Sequence, residues 1–308
     1  STGDWSSDVC SSDLVEIEQR KKLTEEIQNK ASQSGYKTAY HSLVEEVAYT
    51  WFNRLTAVRF MEVNDYLPTR IRVLSSESGN KSEPDLVTNP MDADLDYTQY
   101  EKDLIMQMKN DNELDGLFRM LFIKQCNALN SVLPALFEKT NDFTELLMNV
   151  SFTDQDGVVY HLIHDISEDD FNLSKEGQVE IIGWMYQAYI TEVNDMVYDG
   201  SMSKAKVPKE LIPAATQLFT PDWPIRYMVE NSLGRLWQEG HPNDKVKSEW
   251  KYYLEEAEQE ADVQKKMESI YEEYKAIKPE DIKVIDPCMG SGHILVYAFE
   301  ILMQIYES

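Results

Sequence analysis

Residues 282–295, IKVIDPCMGSGHIL, carry the most chemically specific pattern in this chain. A short β-branched run ends at Asp286 and Pro287, and Gly290 and Gly292 then precede an apolar segment that suits a helix. This order predicts a strand, a glycine loop and a helix. Because glycine has no side chain, backbone N–H groups of such a loop and the helix N-terminus can meet a ligand directly.

Two common glycine loops are disfavoured by the residues around these glycines. No Lys-Ser/Thr pair follows them, which argues against a phosphate-cradling P-loop, and Leu295 stands where a dinucleotide fingerprint has its third glycine. The remaining pattern, Asp-Pro-x-x-Gly-x-Gly, resembles motif I of the N6-adenine DNA methyltransferases, which binds S-adenosylmethionine.

Composition limits the class of protein. The 308 residues are 42% hydrophobic and 11% aromatic, enough for real cores and two domains. The 29 basic and 55 acidic residues give a net charge of -26, so any DNA-binding face must be local or lie elsewhere. No apolar run approaches the roughly 18 residues that cross a bilayer. The odd, widely spaced cysteines suggest neither a disulfide framework nor a metal cluster and favour the cytoplasm: Cys10, Cys126 and Cys288.

Helical periodicity dominates the chain before the glycine loop. Apolar residues three and four apart predict helices over residues 15–29, from 40 to about 67, 100–130, 133–148 (a pair), 178–197 and 243–276 (one or a pair). Residues 75–96 are predicted to form a long loop. We interpret Arg54 and Arg59 as ion-paired surface residues. His161 and His164 lie three apart, but no further ligand completes a metal site.

A second motif lies in residues 215–237. Thr220 is predicted to cap a helix and Pro221 to occupy its first turn. The Phe-Thr-Pro sequence ahead of an apolar helix resembles motif X of the same methyltransferases, which meets the methionine carboxylate of the cofactor. A threonine hydroxyl and helix N-terminal N–H groups suit a carboxylate.

The resemblance extends over essentially the whole chain from about residue 15. The segments 48–68, 179–190, 215–237 and 286–302 are together similar to the PglX-type adenine methyltransferases of BREX phage-defence systems. This resemblance implies a helical N-terminal region, a doubly wound methyltransferase domain and a region that reads DNA. It assigns S-adenosylmethionine binding to Thr220, Pro221, Asp286, Pro287, Cys288, Gly290 and Gly292.

Individual roles follow from the same resemblance. Asp286 would hold the amino end of the cofactor, directly or through water, and the glycines would let the backbone approach it. Cys288 is expected to be a buried, inert thiol.

The predicted fold is mainly α, with three parts. Residues 1–14 resemble a translated library-adaptor sequence and are expected to be a non-native leader. A helical N-terminal domain follows over 15–206, ending in a polar hinge at 199–208. Residues 207–308 are expected to form the truncated start of an α/β doubly wound S-adenosylmethionine-dependent methyltransferase domain.

One motif of the family is absent from this sequence. The catalytic Asn/Asp-Pro-Pro-Tyr/Phe motif positions the target adenine, and this chain has no Pro-Pro pair. The sequence therefore predicts a fragment of a DNA adenine methyltransferase, inactive alone, whose complete form acts on double-stranded DNA with possible phage-defence partners and with neither metal nor membrane. The alternative is a non-enzymatic, acidic helical protein that binds a partner or regulates it, favoured by the charge and the missing motif.

Overall fold

A computed structural model of the chain shows a helical protein. It describes residues 11–78, 83–137, 143–175, 178–198, 207, 212–216, 219–289 and 292–308, with the backbone alone at 11–15, 192, 196, 198 and 213. Helices are the only regular secondary structure in those ranges, which confirms the mainly α prediction. The α/β methyltransferase start stays a prediction.

The helices divide between two compact units, residues 1–182 and 183–308. Their bounds are α1 Ser11–Ser34, α2 Tyr36–Val63, α3 Asp85–Thr88, α4 Gln99–Asn110, α5 Leu114–Leu129, α6 Phe143–Leu146, α7 Val158–His164, α8 Glu168–Phe171, α9 Ile181–Tyr198, α10 Ile212–Thr216, α11 Asp222–Val229, α12 Arg235–Gly240, α13 Asp244–Lys247, α14 Ala261–Tyr274 and α15 His293–Glu307. The predicted domain boundary near 206 falls where most residues lie outside the described ranges, so it stays a prediction.

The first unit is built on α2. Of its predicted apolar stripe, Leu43, Val47, Trp51, Leu55 and Val58 are buried, whereas Val44, also predicted for it, is 43% exposed. The stripe contacts α1, and α5 adds an aromatic cluster in which the Trp51 and Phe122 rings lie 6.2 Å apart. Helical periodicity alone therefore predicted the main core element of this unit.

The two arginines of α2 are not at the surface, which corrects their interpretation. Arg54 and Arg59 are only 2% and 1% exposed. Arg59 Nη1 donates to Glu62 Oε1 at 2.8 Å, and its Nη2 lies 3.2 Å from Glu168 Oε2. Arg72 also donates to Glu168, at 2.6 Å. The ion pairing of Arg59 was predicted, but its burial was not, because periodicity does not show that carboxylates from distant segments fold over α2.

Two other predictions in this unit need correction. The predicted loop 75–96 contains α3 and a 3-10 turn at Pro90–Asp92, because Leu86 and Val87 are fully buried and anchor it. In place of the predicted helix pair over 133–148, the described residues form only α6 and turns. Residues 138–142, around which that pair was predicted, lie outside the described ranges.

The second unit is built on one helix that contains a π turn. α11, the π turn Glu230–Gly234 and α12 form a continuous run. Its buried apolar residues recur every four positions, a step that over-rotates an α-helix by about 40°. The π turn holds more residues per turn and takes up part of that drift. The core around this run and α15, to which α13 and the residues after it also contribute, comprises Ile225, Val229, Leu233, Trp237, Val246, Trp250, Tyr297, Ala298, Ile301 and Ile305.

The predicted helix over residues 243–276 is interrupted. α13 ends at Lys247 and α14 begins at Ala261. Between them, the Leu254 N–H donates to Asn231 Oδ1 at 2.9 Å, and the Leu254 carbonyl accepts from Arg235 Nη2 at 2.6 Å. Side chains of the π turn and of α12 therefore satisfy this backbone, and the helix need not continue.

The predicted strand before the glycine loop is not formed. Residues 282–286 have no regular secondary structure, although Ile282 has the extended dihedral angles φ −71° and ψ 126°. A strand requires a neighbouring strand for its hydrogen bonds, and none is present in the described residues. Ile285 is consequently 87% exposed.

Candidate cofactor-binding site

The described part of the glycine loop is a tight turn that leads into α15. The Cys288 N–H donates to Asp286 Oδ1 at 2.9 Å, and the Gly292 N–H donates to the Met289 carbonyl at 2.8 Å. Gly292 has φ +86°, a left-handed conformation that other residues rarely adopt. Gly290 lies outside the described residues. The second glycine of the motif is thus required by the backbone at the helix start.

Asp286 presents an unused acceptor at this turn. Its Oδ2 is buried and has no hydrogen-bond partner among the described residues. A buried acceptor without a partner is unfavourable by about 1–3 kcal/mol. The atom therefore suits a ligand that donates N–H or O–H groups.

The Phe-Thr-Pro segment enters α11 one residue later than predicted. Pro221 has φ −56° and ψ 158°, so the helical turn starts at Asp222, and no side chain caps it. This corrects the assignment of Thr220 as the N-cap and of Pro221 to the first turn. Thr220 is half-buried and Pro221 is exposed. N–H groups in the first turn of a helix have no intrahelical partners and can serve a ligand.

Phe219 brings the two predicted motifs together. Its ring packs edge-on against His293, the residue after Gly292, with centroids 4.2 Å apart. The Phe219 ring also lies so close to Gly183 of α9 that a Cβ added at Gly183 would be 1.8 Å from it. The Phe219 N–H donates to Gln187 Oε1 at 3.2 Å. The residues adjoining Thr220 and Gly292 are therefore in direct contact.

The prediction that the Cys288 thiol is buried is wrong. Cys288 is exposed at the turn, whereas Cys126 is buried in α5. Burial raises the pKa of the Cys126 thiol to about 12, so this second cysteine is the inert one. The exposure of Cys288 follows from the loop, which carries Pro287 and Met289 on the surface as well.

A buried polar network joins α11 to α15 beside this loop. The Tyr297 hydroxyl donates to Glu230 Oε1 at 2.8 Å, and Glu230 Oε2 accepts the Tyr252 N–H at 2.6 Å. Burial and the Glu230 carboxylate raise the pKa of Tyr297 well above its usual range. The Arg226 guanidinium lies 4.7 Å from the centre of the Tyr297 ring and donates to Asp222 at 2.5 Å. The sequence motifs do not reveal this network; its signal in the sequence is a glutamate beside the apolar stripe of the helix.

The two histidines of α7 each have a local hydrogen-bond partner. His161 Nδ1 lies 2.7 Å from Asp165 Oδ2, and His164 Nδ1 lies 2.9 Å from the Tyr160 carbonyl. Across the described ranges, no group of three or more His, Cys, Asp or Glu side chains could hold a metal ion. No helix in those ranges has the length and apolar character to cross a membrane.

Comparison with known proteins confirms the family resemblance. No protein-family model matches the chain. The chain is 44% identical over 313 residues to the adenine-specific methyltransferase PglX of Lacticaseibacillus casei (strain Zhang), covering 95% of this chain and 24% of that protein. It is 40% identical over 283 residues to the adenine-specific methyltransferase BrxX of Escherichia coli O9:H4 (strain HS), covering 92% and 22%. The chain spans about a quarter of the length of these curated relatives.

Proposed function

We propose that this relative of the PglX and BrxX adenine-specific methyltransferases is part of an S-adenosylmethionine-dependent enzyme that methylates adenine N6 in double-stranded DNA. In this proposal, the chain contributes the methyl-donor pocket. The residues that would line it are Thr220, Pro221, Asp286, Pro287, Cys288, Gly290 and Gly292. We further propose that the complete protein acts in the cytoplasm in BREX phage defence, with other defence proteins as partners.

The contact between Phe219 and His293 supports the pocket most directly. The two motifs are about 70 residues apart in sequence, and neither has a reason to meet the other as an ordinary cap or turn. Their neighbours pack ring against ring at 4.2 Å. A pocket assembled from both segments needs such proximity.

The residues present fit the proposed cofactor chemically. Asp286 offers the buried, unpartnered Oδ2 to the amino end of the cofactor, an interaction between opposite charges. The Thr220 hydroxyl and the uncapped first turn of α11 offer donors to its carboxylate. When bound, S-adenosylmethionine supplies an activated methyl group, and these residues would hold and orient its amino-acid end.

The reaction itself requires groups beyond this sequence. Adenine N6 must be reached on a base turned out of the duplex, and its amine must be held by acceptors in line with the methyl group. This chain has no Pro-Pro pair and therefore lacks the motif that the family uses for that purpose. We therefore propose that the 308-residue chain alone does not methylate DNA and binds the cofactor weakly.

Cys288 gives a direct test of the pocket. In a Cys10→Ser background, the exposed Cys288 should react with iodoacetamide while the buried Cys126 does not. Millimolar-range S-adenosylhomocysteine should slow the alkylation of Cys288, as measured by mass spectrometry. Asp286→Ala should abolish this protection, whereas Asp281→Ala, outside the loop, should keep it. Equal protection by adenosine triphosphate would argue against a specific methyl-donor pocket.

Methylation tests the enzyme. The complete protein should transfer tritiated methyl groups to double-stranded DNA, and Asp286→Ala should reduce this transfer. The 308-residue chain should transfer none, so methylation by that chain would contradict the fragment interpretation. A complete protein that neither binds the donor nor methylates DNA would favour the regulatory alternative.

A further inference from the structure

We propose that Tyr297 and Glu230 are positioning residues, whose hydrogen bond fixes the glycine loop relative to the Phe-Thr-Pro segment. This inference rests on the proposed function, because it concerns the same pocket. Neither residue belongs to the predicted motifs. Tyr297 lies five residues after Gly292, and Glu230 lies nine residues after Pro221.

The hydrogen bond between Tyr297 and Glu230 is buried and directional. Both side chains are buried, and Glu230 is 0% exposed. Its two carboxylate oxygens have separate donors, the Tyr297 hydroxyl at 2.8 Å and the Tyr252 N–H at 2.6 Å. Each partner thus has one defined position, and a displaced α15 would leave a buried carboxylate oxygen without a donor.

Another directional contact to α15, Trp250 Nε1 donating to Gln304 Oε1 at 2.7 Å, lies near the far end of the helix. α11 and α15 otherwise meet through apolar side chains such as Ile225, Val229 and Ile301. Apolar attraction itself has no preferred direction, so a small shift of one helix along the other loses only part of it. A buried hydrogen bond to a carboxylate is directional and opposes the shift.

The same network reaches the start of α11. Arg226 lies over the Tyr297 ring at 4.7 Å and donates to Asp222, the first residue of the helix. The Tyr297 hydroxyl is therefore bonded to Glu230, and the face of its ring contacts Arg226. Through these two contacts, one residue of α15 is tied to the helix that carries the Phe-Thr-Pro segment.

Hydrogen exchange tests the inference without a ligand. Tyr297→Phe removes only the hydroxyl, and exchange at the hydrogen-bonded amides of Gly292 and Val296 should become about tenfold faster, the effect of losing a hydrogen bond to a charged group. Tyr306→Phe, an exposed tyrosine of the same helix, is the matched control and should leave exchange unchanged. Glu230→Gln should accelerate exchange less than Tyr297→Phe does, because the amide oxygen can accept the Tyr252 N–H while its NH2 donates to Tyr297, although both bonds lose their charge.

Two outcomes would overturn the inference. Unchanged exchange at the Gly292 and Val296 amides of Tyr297→Phe would show that the bond does not fix the loop. An equal increase throughout α12 would show a general loss of stability without positioning.

A ligand measurement separates this inference from the proposed function. In the complete protein, Tyr297→Phe should weaken S-adenosylhomocysteine binding about tenfold, raise KM for the methyl donor and leave kcat unchanged. Tyr306→Phe, the exposed control, should leave both the binding and the KM unchanged. If the unmodified complete protein binds no methyl donor, the proposed function fails, and the exchange result still decides whether the bond fixes the loop. Normal binding by Tyr297→Phe alongside faster exchange would refute its role in the pocket.

Discussion

Gly292 shows how one backbone conformation determines a motif residue. Gly292 has φ +86° and lies between the loop and the first residue of α15. No neighbouring atom lies close enough to exclude a Cβ. The need for glycine is therefore conformational within the protein itself. A side chain could be accommodated in space but not in dihedral angle.

The Gly292→Ala variant should accordingly lower the free energy of unfolding of the second unit by about 1–2 kcal/mol. Urea denaturation followed by tryptophan fluorescence would measure this loss. Gly35→Ala, at φ +82° and ψ 154° with no atom within 4 Å of the added Cβ, is the comparison in the first unit and should lose at least as much there, because essentially only glycine adopts that backbone conformation. An unchanged midpoint for Gly292→Ala would contradict the conformational requirement.

Glu168 makes the first unit sensitive to acid. The hydrogen bond from Arg72 lowers the pKa of Glu168 below its usual value, although partial burial opposes the change. A carboxylate with a lowered folded-state pKa stabilises the fold above its unfolded pKa of about 4.3, and this contribution disappears as pH falls through the folded value.

The urea midpoint of the first unit should therefore decrease as pH falls below about 4.3. Glu168→Gln should lower the midpoint at neutral pH and flatten its dependence on pH over the acid range. Glu18→Gln, an exposed carboxylate of α1, is the control and should follow the unmodified profile. A Glu168→Gln profile as steep as that of the unmodified protein would show that another group is responsible.

At the scale of elements, sequence predicted helices where one face is apolar throughout and failed where distant side chains decide the backbone. The stripe of α2 and the apolar run of α9 could be found by spacing alone. The interruption after α13 could not be found by spacing, because the side chains of Asn231 and Arg235 form hydrogen bonds with the backbone of Leu254. Residues 282–285 have a composition that suits a strand, but the described residues provide no neighbouring strand with which they could pair.

The candidate site was partly predictable for the same reason. Motif spacing identified the glycine loop and the Phe-Thr-Pro segment. It could not identify Gly183, because the requirement for glycine there arises only when Phe219 packs against α9. It also could not identify Glu230, whose role depends on a tyrosine 67 residues away.

A double-mutant cycle tests the packing of Phe219 on α9. Gly183→Ala should destabilise the second unit by about 1–3 kcal/mol, because the new Cβ overlaps the ring. In the Phe219→Ala background the same change should cost much less, since the overlap is gone. Thermal unfolding of the four proteins would measure the coupling. Equal effects of Gly183→Ala in both backgrounds would mean that Phe219 does not occupy this position.

At the scale of the whole molecule, a strongly acidic chain carries a local apolar surface. The net charge of -26 keeps copies apart by repulsion. α15 nevertheless has a second apolar face, opposite its core face, on which Phe299 is 63% exposed and Val296 and Met303 are also exposed. Such a contiguous surface promotes association.

The Phe299→Lys variant should therefore reduce self-association of the chain, as measured by sedimentation velocity over a concentration series. Its thermal stability should change little, because the side chain is already exposed. Glu300→Gln alters the net charge by the same amount on an exposed neighbour and is the matched control. If both variants reduce association equally, charge and not the apolar face is responsible.

The π turn at Glu230–Gly234 also bears on how relatives of this chain are aligned. A π turn is equivalent to a single-residue insertion in an α-helix, and deleting one residue between Val229 and Leu233 would leave the stripe Ile225, Val229, Leu233, Trp237 at the ordinary helical intervals of four, three and four. The core would survive the deletion. Glu230, Asn231 and Arg235, whose side chains bond the backbone of residues 252–254, would no longer all face that segment. A one-residue gap at this point in an alignment therefore marks a relative in which the segment is held differently.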